Sequence, residues 1–292
     1  MDALVATSRR LNASVEALAA LGAVLKLRRD GVTPDRAVAR LLDEIVGALG
    51  PDLLTGLDLT QEVTALAFIE TFFRQASDLL ARPERAPGWT HDDSAQLQSQ
   101  GQASRIVVTT IAGIAAELPA LAEWLTRPGS FLDVGTGVGW LAIEAAKTWS
   151  ALRVQGIDVW QPALTLAERN VAESPFRDRI AVRHQPVETL EDRDTYSLAW
   201  FPSPFIAPAI VPEAIRRIWR AMTPGGWLVF GLYGAPPSGP LDQALADLRL
   251  VRGGGWPWKI DEVRSLLEGA GFVEAKDWLR PPLRLVTARR PA

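Results

Sequence analysis

The chain has 292 residues, 48% of them hydrophobic and 22% charged, with a formal net charge of −3. Such a chain makes one large or two modest globular domains, and its slightly acidic balance disfavours a polyanion, so nucleic acid is not expected as a partner. The lack of cysteine removes disulfides, thiolate metal sites and cysteine nucleophiles, and with two histidines and no acidic cluster no metal is expected.

Residues 1–128 read as helical. Leu18, Leu21, Val24 and Leu25 recur at helical spacing. The apolar run from Leu11 to Leu27 carries Glu16 and Lys26 and is short for a membrane span. An amphipathic helix in a cytoplasmic protein is therefore expected, with no membrane partner. A second helix starts at Pro34, with Thr33 as its cap, and runs to about Leu49; Gly50-Pro51 then breaks the chain. A third fits Thr60 to Ala81. Pro83, Pro87 and Gly88 mark a loop carrying Trp89 and His91, and one or two further helices fill Ser94 to Leu125.

At Pro128-Gly129 the pattern changes. Strands are expected near 130–134, 152–158, 179–184, 196–201 and 226–232, with helices near 138–149, 161–173 and 208–222. A last helix near 259–269 leads through Gly271-Phe272 into two closing strands. This alternation predicts an α/β fold, a parallel sheet with helices on both faces. The expected division is a helical domain over 1–128 and an α/β domain over 129–292.

The chemistry-bearing signal is Phe131-Leu132-Asp133-Val134-Gly135-Thr136-Gly137-Val138-Gly139-Trp140, a buried strand entering a glycine-rich turn that opens a helix. Glycines permit the sharp turn and the close approach of a ligand to the backbone. The turn lies at the carboxyl end of the first strand, where open α/β sheets bind ligands. A dinucleotide fingerprint needs a third glycine where Trp140 stands; here it is Gly139. The next strand ends in Asp158, about 20 residues beyond the turn, where a ribose-binding carboxylate belongs. Val159 and Trp160 follow it and are suited to pack against adenine.

The run Asp133-x-Gly135-x-Gly137-x-Gly139 resembles the first motif of class I S-adenosylmethionine-dependent methyltransferases. Thr223-Pro224-Gly225-Gly226 and Leu266-Leu267-Glu268-Gly269-Ala270-Gly271-Phe272 resemble later scaffold turns of that family. The resemblance covers about residues 129–288. It implies a Rossmann-like, mostly parallel seven-stranded sheet preceded by an all-helical part, with S-adenosylmethionine as cofactor. It further implies that Asp133, Gly135, Thr136, Gly137, Gly139, Asp158, Val159 and Trp160 bind that cofactor. Gln185, Pro186 and Val187 occupy the family's adenine-contacting position, with Pro186 where an acidic residue is common. Trp200 is placed beside the cofactor, and Arg105 is a candidate for the methionine carboxylate.

The fourth motif reads Ala199-Trp200-Phe201-Pro202-Ser203-Pro204-Phe205. Enzymes of this family acting on base amines or protein glutamine usually carry Asp or Asn, two prolines and an aromatic residue here. Phe201 and Ser203 depart from that pattern and favour a small, apolar or aromatic acceptor, methylated on oxygen or nitrogen and less readily on carbon. Trp89, Gln100, Phe205 and Trp256 are candidate acceptor contacts. His91 is the candidate general base, with a solvated surface histidine as the alternative. Residues 1–128 are expected to cap the sheet, to supply much of the acceptor pocket and to offer a homodimer surface. The runner-up is a non-catalytic cofactor-binding or partner-binding protein of the same fold.

Overall fold

The structure is a computed structural model and describes residues 1–234 and 239–292. The chain divides into two compact units, Met1–Pro83 and Glu84–Ala292. The division falls at Pro83, earlier than the sequence pattern suggests, and the helical stretch over 106–126 is built into the core of the sheet.

In the first unit α1 (Asp2–Asp30), α2 (Arg36–Leu49) and α3 (Leu59–Ala81) follow one another. Leu25 of α1 packs with Leu66 and Ile69 of α3, and a Cβ on Gly22 would lie 2.9 Å from Ile69 Cγ2. The expected cap Thr33 is not the one used. Asp35 accepts from the Ala37 amide at 2.8 Å, because its carboxylate stands directly before the first helical residue. Asp58 and Gln61 form a capping box on α3.

The second unit begins with α4 (Ser94–Ser104), α5 (Ile106–Glu117) and α6 (Pro119–Thr126), so Ser94 to Leu125 holds three helices rather than one or two. Then come β1 (Gly129–Val134), α7 (Trp140–Thr148), β2 (Leu152–Asp158), α8 (Gln161–Glu173), β3 (Ile180–His184) and β4 (Tyr196–Pro202). After these follow α9 (Val211–Ala221), β5 (Met222–Tyr233), α10 (Pro240–Arg252), α11 (Ile260–Gly269), β6 (Val273–Arg280) and β7 (Leu283–Arg289). The helix α10 has no counterpart in the sequence reading, although Pro240 at its start and Leu241, Leu245 and Leu248 at helical spacing are its signal.

The sheet order is β3-β2-β1-β4-β5-β7-β6, with β7 running antiparallel to both its neighbours. This is the expected Rossmann-like, mostly parallel seven-stranded sheet. Strand alternation sends Phe131, Leu198 and Trp227 to the face covered by α5, α6 and α7, and Leu132, Phe201 and Phe230 to the face covered by α9 and α11. Phe131, Phe201 and Phe230 are wholly buried, and truncating such a side chain costs about 3–5 kcal/mol. The order reverses between β1 and β4, which opens a crevice outside their carboxyl ends. No helix among the described residues is long and apolar enough to cross a membrane.

Candidate active site

The crevice is floored by the glycine turn. Gly135, Gly137 and Gly139 have φ of 63°, 56° and 84°, a region that side chains resist. The Thr136 amide donates to Ile157 O at 3.0 Å, laying the turn on β2. A Cβ on Gly156 would sit 2.6 Å from Thr136 Oγ1, so the bare strand position makes room for that hydroxyl.

Asp133 lies under the turn, 1% exposed. Its Oδ2 accepts from Thr136 Oγ1 at 2.7 Å, while Oδ1 is buried without a hydrogen-bond partner. Burial pushes the carboxyl up to about 7; the Thr136 hydroxyl opposes the shift and the nearby charge of Asp158 adds to it. A buried acceptor with an empty lone pair is costly unless a ligand meets it, and a cationic amino group would do so. At the end of β2, Asp158 Oδ2 accepts from the Gly137 amide and Oδ1 from the Trp160 amide, both at 2.8 Å. Burial raises this carboxyl too, against the pull of those amides. Each oxygen keeps acceptor capacity, enough for two hydroxyl donors. Val159, the next residue, is 55% exposed and presents an apolar surface there. These features fit the donor set and shape of S-adenosylmethionine: an amine, a ribose diol and a flat base.

Other expected cofactor residues sit differently. Trp200 is 7% exposed, and a Cβ on Gly231 would lie 2.2 Å from its ring. It is a core residue, because at its register opposite Asp133 the chain is still inside the sheet. Arg105 is occupied: its Nε donates to Glu144 Oε2 at 2.9 Å and its Nη1 to Gln102 Oε1 at 3.2 Å. The Gln185 carboxamide is turned into its own loop, onto Thr189 Oγ1 at 2.8 Å, beside Pro186. Val187 is buried in the core.

Helix α4 lies against the turn. A Cβ on Gly101 would stand 2.2 Å from Val138 Cγ2. Gln98 accepts from Trp140 Nε1 at 2.5 Å and donates to Asn170 Oδ1 at 3.1 Å, and Asn170 donates to Val138 O at 2.8 Å. The Gln100 Oε1 atom is buried without a hydrogen-bond partner.

Beyond the carboxyl end of β4 three loops converge. Trp89 meets His91 edge to face, with ring centroids 4.9 Å apart, and meets Phe205 likewise at 5.3 Å. His91 is 7% exposed, so it is not the solvated surface histidine of the alternative reading. Its carbonyl accepts from Trp160 Nε1 at 2.6 Å. The Gly88 amide donates to Arg252 O at 3.1 Å, and Arg85 reaches Gly88 O at 2.7 Å and Arg252 O at 3.2 Å. A Cβ on Gly255 would lie 2.4 Å from Pro204 O. Arg85 and Gly253-Gly254-Gly255 were not among the expected site residues; the glycine run is the visible signal that the backbone comes close there. Trp256 remains 48% exposed beside this group in sequence.

Residues 131–226 match the model of a methyltransferase domain family. The ribosomal protein L11 methyltransferase of Trichlorobacter lovleyi is 32% identical over 168 residues, covering 58% of this chain and 48% of that protein. The chain thus spans about half the length of that relative. A tRNA1(Val) (adenine(37)-N6)-methyltransferase of Tolumonas auensis is 26% identical over 192 residues, 59% of this chain and 74% of that protein. Among solved structures, human N-acetylserotonin methyltransferase in complex with S-adenosylmethionine shares the fold at a TM-score of 0.67 and 17% identity, over 98% of both chains. Mitomycin 7-O-methyltransferase does so at 0.60 and 16%, over 99% of this chain and 98% of that one.

The expectation that nucleic acid is not a partner is overturned by these matches, since sequence relatives are named for tRNA and ribosomal-protein methylation. The physical reason is that a net charge of −3 averages the whole surface and does not describe any one face of it.

Proposed function

We propose, from the premise that this chain carries a methyltransferase domain of the class I S-adenosylmethionine-dependent family, that it methylates an oxygen or nitrogen atom of a small aromatic or apolar molecule. The observation that carries this reading is the edge-to-face group of buried His91 with half-buried Trp89 and Phe205 beyond β4, in the same unit as the glycine turn. Flat apolar walls of this kind suit a flat apolar acceptor. The likeness in fold to enzymes named for small acceptors supports it.

When bound, S-adenosylmethionine supplies a methyl group on a positively charged sulfur. Asp133 Oδ1 would receive the amino end, the backbone of Gly135 to Gly139 would flank the chain, and Asp158 would accept from the ribose hydroxyls. Val159 would cover one side of the adenine. The aromatic group would hold the acceptor in line and exclude water, and such alignment is worth on the order of 7–11 kcal/mol. His91 would take the proton that the acceptor releases.

A second reading is a macromolecular acceptor, favoured by the named substrates of the sequence relatives. One experiment separates the two. Methyl-labelled S-adenosylmethionine is offered with aromatic alcohols and amines, with bulk tRNA and with ribosomal proteins. Label in the small acceptors is expected; label in tRNA or protein alone would establish the second reading. Cofactor binding with no transfer to any class would leave a non-catalytic binding protein.

A further inference from the structure

Trp160 joins the two halves of the crevice. Its backbone amide donates to Asp158 Oδ1 at 2.8 Å, and Asp158 in turn holds the Gly137 amide at 2.8 Å. Its indole Nε1 donates to the carbonyl of His91 at 2.6 Å, across 69 residues of sequence. The indole also packs in a small apolar cluster with Leu97, Val138, Ala163 and Trp89, drawn from α4, the glycine turn, α8 and the loop before α4. The segment from Trp89 to Asp93 has no helix or strand of its own. Its position is therefore set by contacts such as these rather than by a ladder of backbone bonds. At its far end Asp93 caps α4, accepting from the Gln96 amide at 2.7 Å.

A ligand that fills the remaining acceptor sites of Asp158 tightens the carboxylate on which the Trp160 backbone hangs. The Trp160 ring then carries that restraint to the carbonyl of His91. We propose that Trp160 is a positioning residue that couples occupancy of the cofactor site to the placement of the His91 segment, so that cofactor binding prepares the acceptor side. This rests on the assignment of Asp158 to the cofactor.

The test is hydrogen exchange of the full chain, with and without saturating S-adenosylhomocysteine, read in peptides covering 133–139 and 88–93. In the wild type both should exchange more slowly with ligand, the second by about tenfold, which is about one hydrogen bond's net worth. Trp160→Phe keeps the ring and removes the indole donor, and it is compared at a concentration of S-adenosylhomocysteine that calorimetry shows to saturate the variant. Slowing at 133–139 should persist there, while slowing at 88–93 is lost. Ligand-slowed exchange at 133–139 with none at 88–93 in the wild type overturns the coupling while leaving the cofactor assignment intact. Full slowing at 88–93 in the variant also overturns it. No binding of S-adenosylhomocysteine by the wild type removes the cofactor assignment and the coupling together. Absence of slowing at 88–93 in the wild type overturns the coupling even where the variant does not fold.

Discussion

The Gly137 amide donates to Asp158 Oδ2 at 2.8 Å, so the glycine turn after β1 and the carboxylate ending β2 form one unit. The bond requires the backbone of Gly137 at φ 56°, which a side chain disfavours. Asp158→Asn keeps the shape and removes the charge. It should weaken binding of S-adenosylhomocysteine about 10- to 100-fold, the worth of a hydrogen bond to a charged group. Calorimetry on both proteins checks this, and equal affinities would speak against the ribose assignment.

Asp133 gives a pH dependence with a definite sign. Its folded-state value of about 7 lies above the ordinary 3.8. The unfolded chain therefore releases this proton first, and the contribution of Asp133 is present at low pH and lost as pH rises towards 7. The swing is on the order of 4 kcal/mol. Asp133→Asn should remove it, so unliganded variant and wild type should differ most in melting temperature above pH 7, with the variant the more stable. A cationic amino group beside Oδ1 would favour the ionised form. Ligand binding below pH 7 should then release a proton, seen as a buffer-dependent binding enthalpy that the variant lacks.

Two glycine replacements on adjacent helices should act in opposite directions. At Gly113, exposed on α5, nothing lies within 4 Å of an added Cβ. Gly113→Ala should stabilise by about 0.5–1 kcal/mol. At Gly101 the same atom would meet Val138 Cγ2 at 2.2 Å. Gly101→Ala should cost about 1–3 kcal/mol by overpacking and loosen α4 on the glycine turn. Denaturant melts measure both, and a stabilising Gly101→Ala would contradict the close approach.

Arg105 and Glu144 are mostly buried, with side chains 17% and 10% exposed. Glu144→Ala should cost about 1–3 kcal/mol, because the guanidinium then keeps only Gln102. In a double-mutant cycle with Arg105→Ala the stability losses should be strongly non-additive. The affinity of Arg105→Ala for S-adenosylhomocysteine should stay within about threefold. A larger loss would mean that Arg105 leaves Glu144 to meet the ligand.

His91 is the proposed base. His91→Ala and His91→Gln should each lower the maximal rate about 100-fold with the identified acceptor, with cofactor affinity nearly unchanged. Rate profiles from pH 6 to 9 provide the check; near-normal turnover in both variants would leave alignment as the main source of rate.

The strand–turn–strand frame of the proposed cofactor site was legible because its signals are local. Asp133, the glycine turn and Asp158 are read from one strand–turn–helix–strand passage, where steric demands on the backbone write glycine directly into the sequence. The alternation of strands and helices after residue 129 followed from hydrophobic period alone. The proposed acceptor side was only partly legible. Trp89, His91 and Phe205 stood out as residue types, but their meeting joins loops far apart in the chain, and no periodicity encodes such a meeting.

Tertiary structure also decided the roles of residues whose type permits more than one. Arg105 pairs with Glu144 because α7 brings that carboxylate to it, and Trp200 is core because Gly231 leaves space for its ring. The unit boundary moved to Pro83 for the same reason: α5 and α6 look like the helices before them but bury Ile111, Ile114 and Leu121 in the sheet's core. A side chain's chemistry is local, whereas its burial and its partners depend on residues that only folding brings within reach.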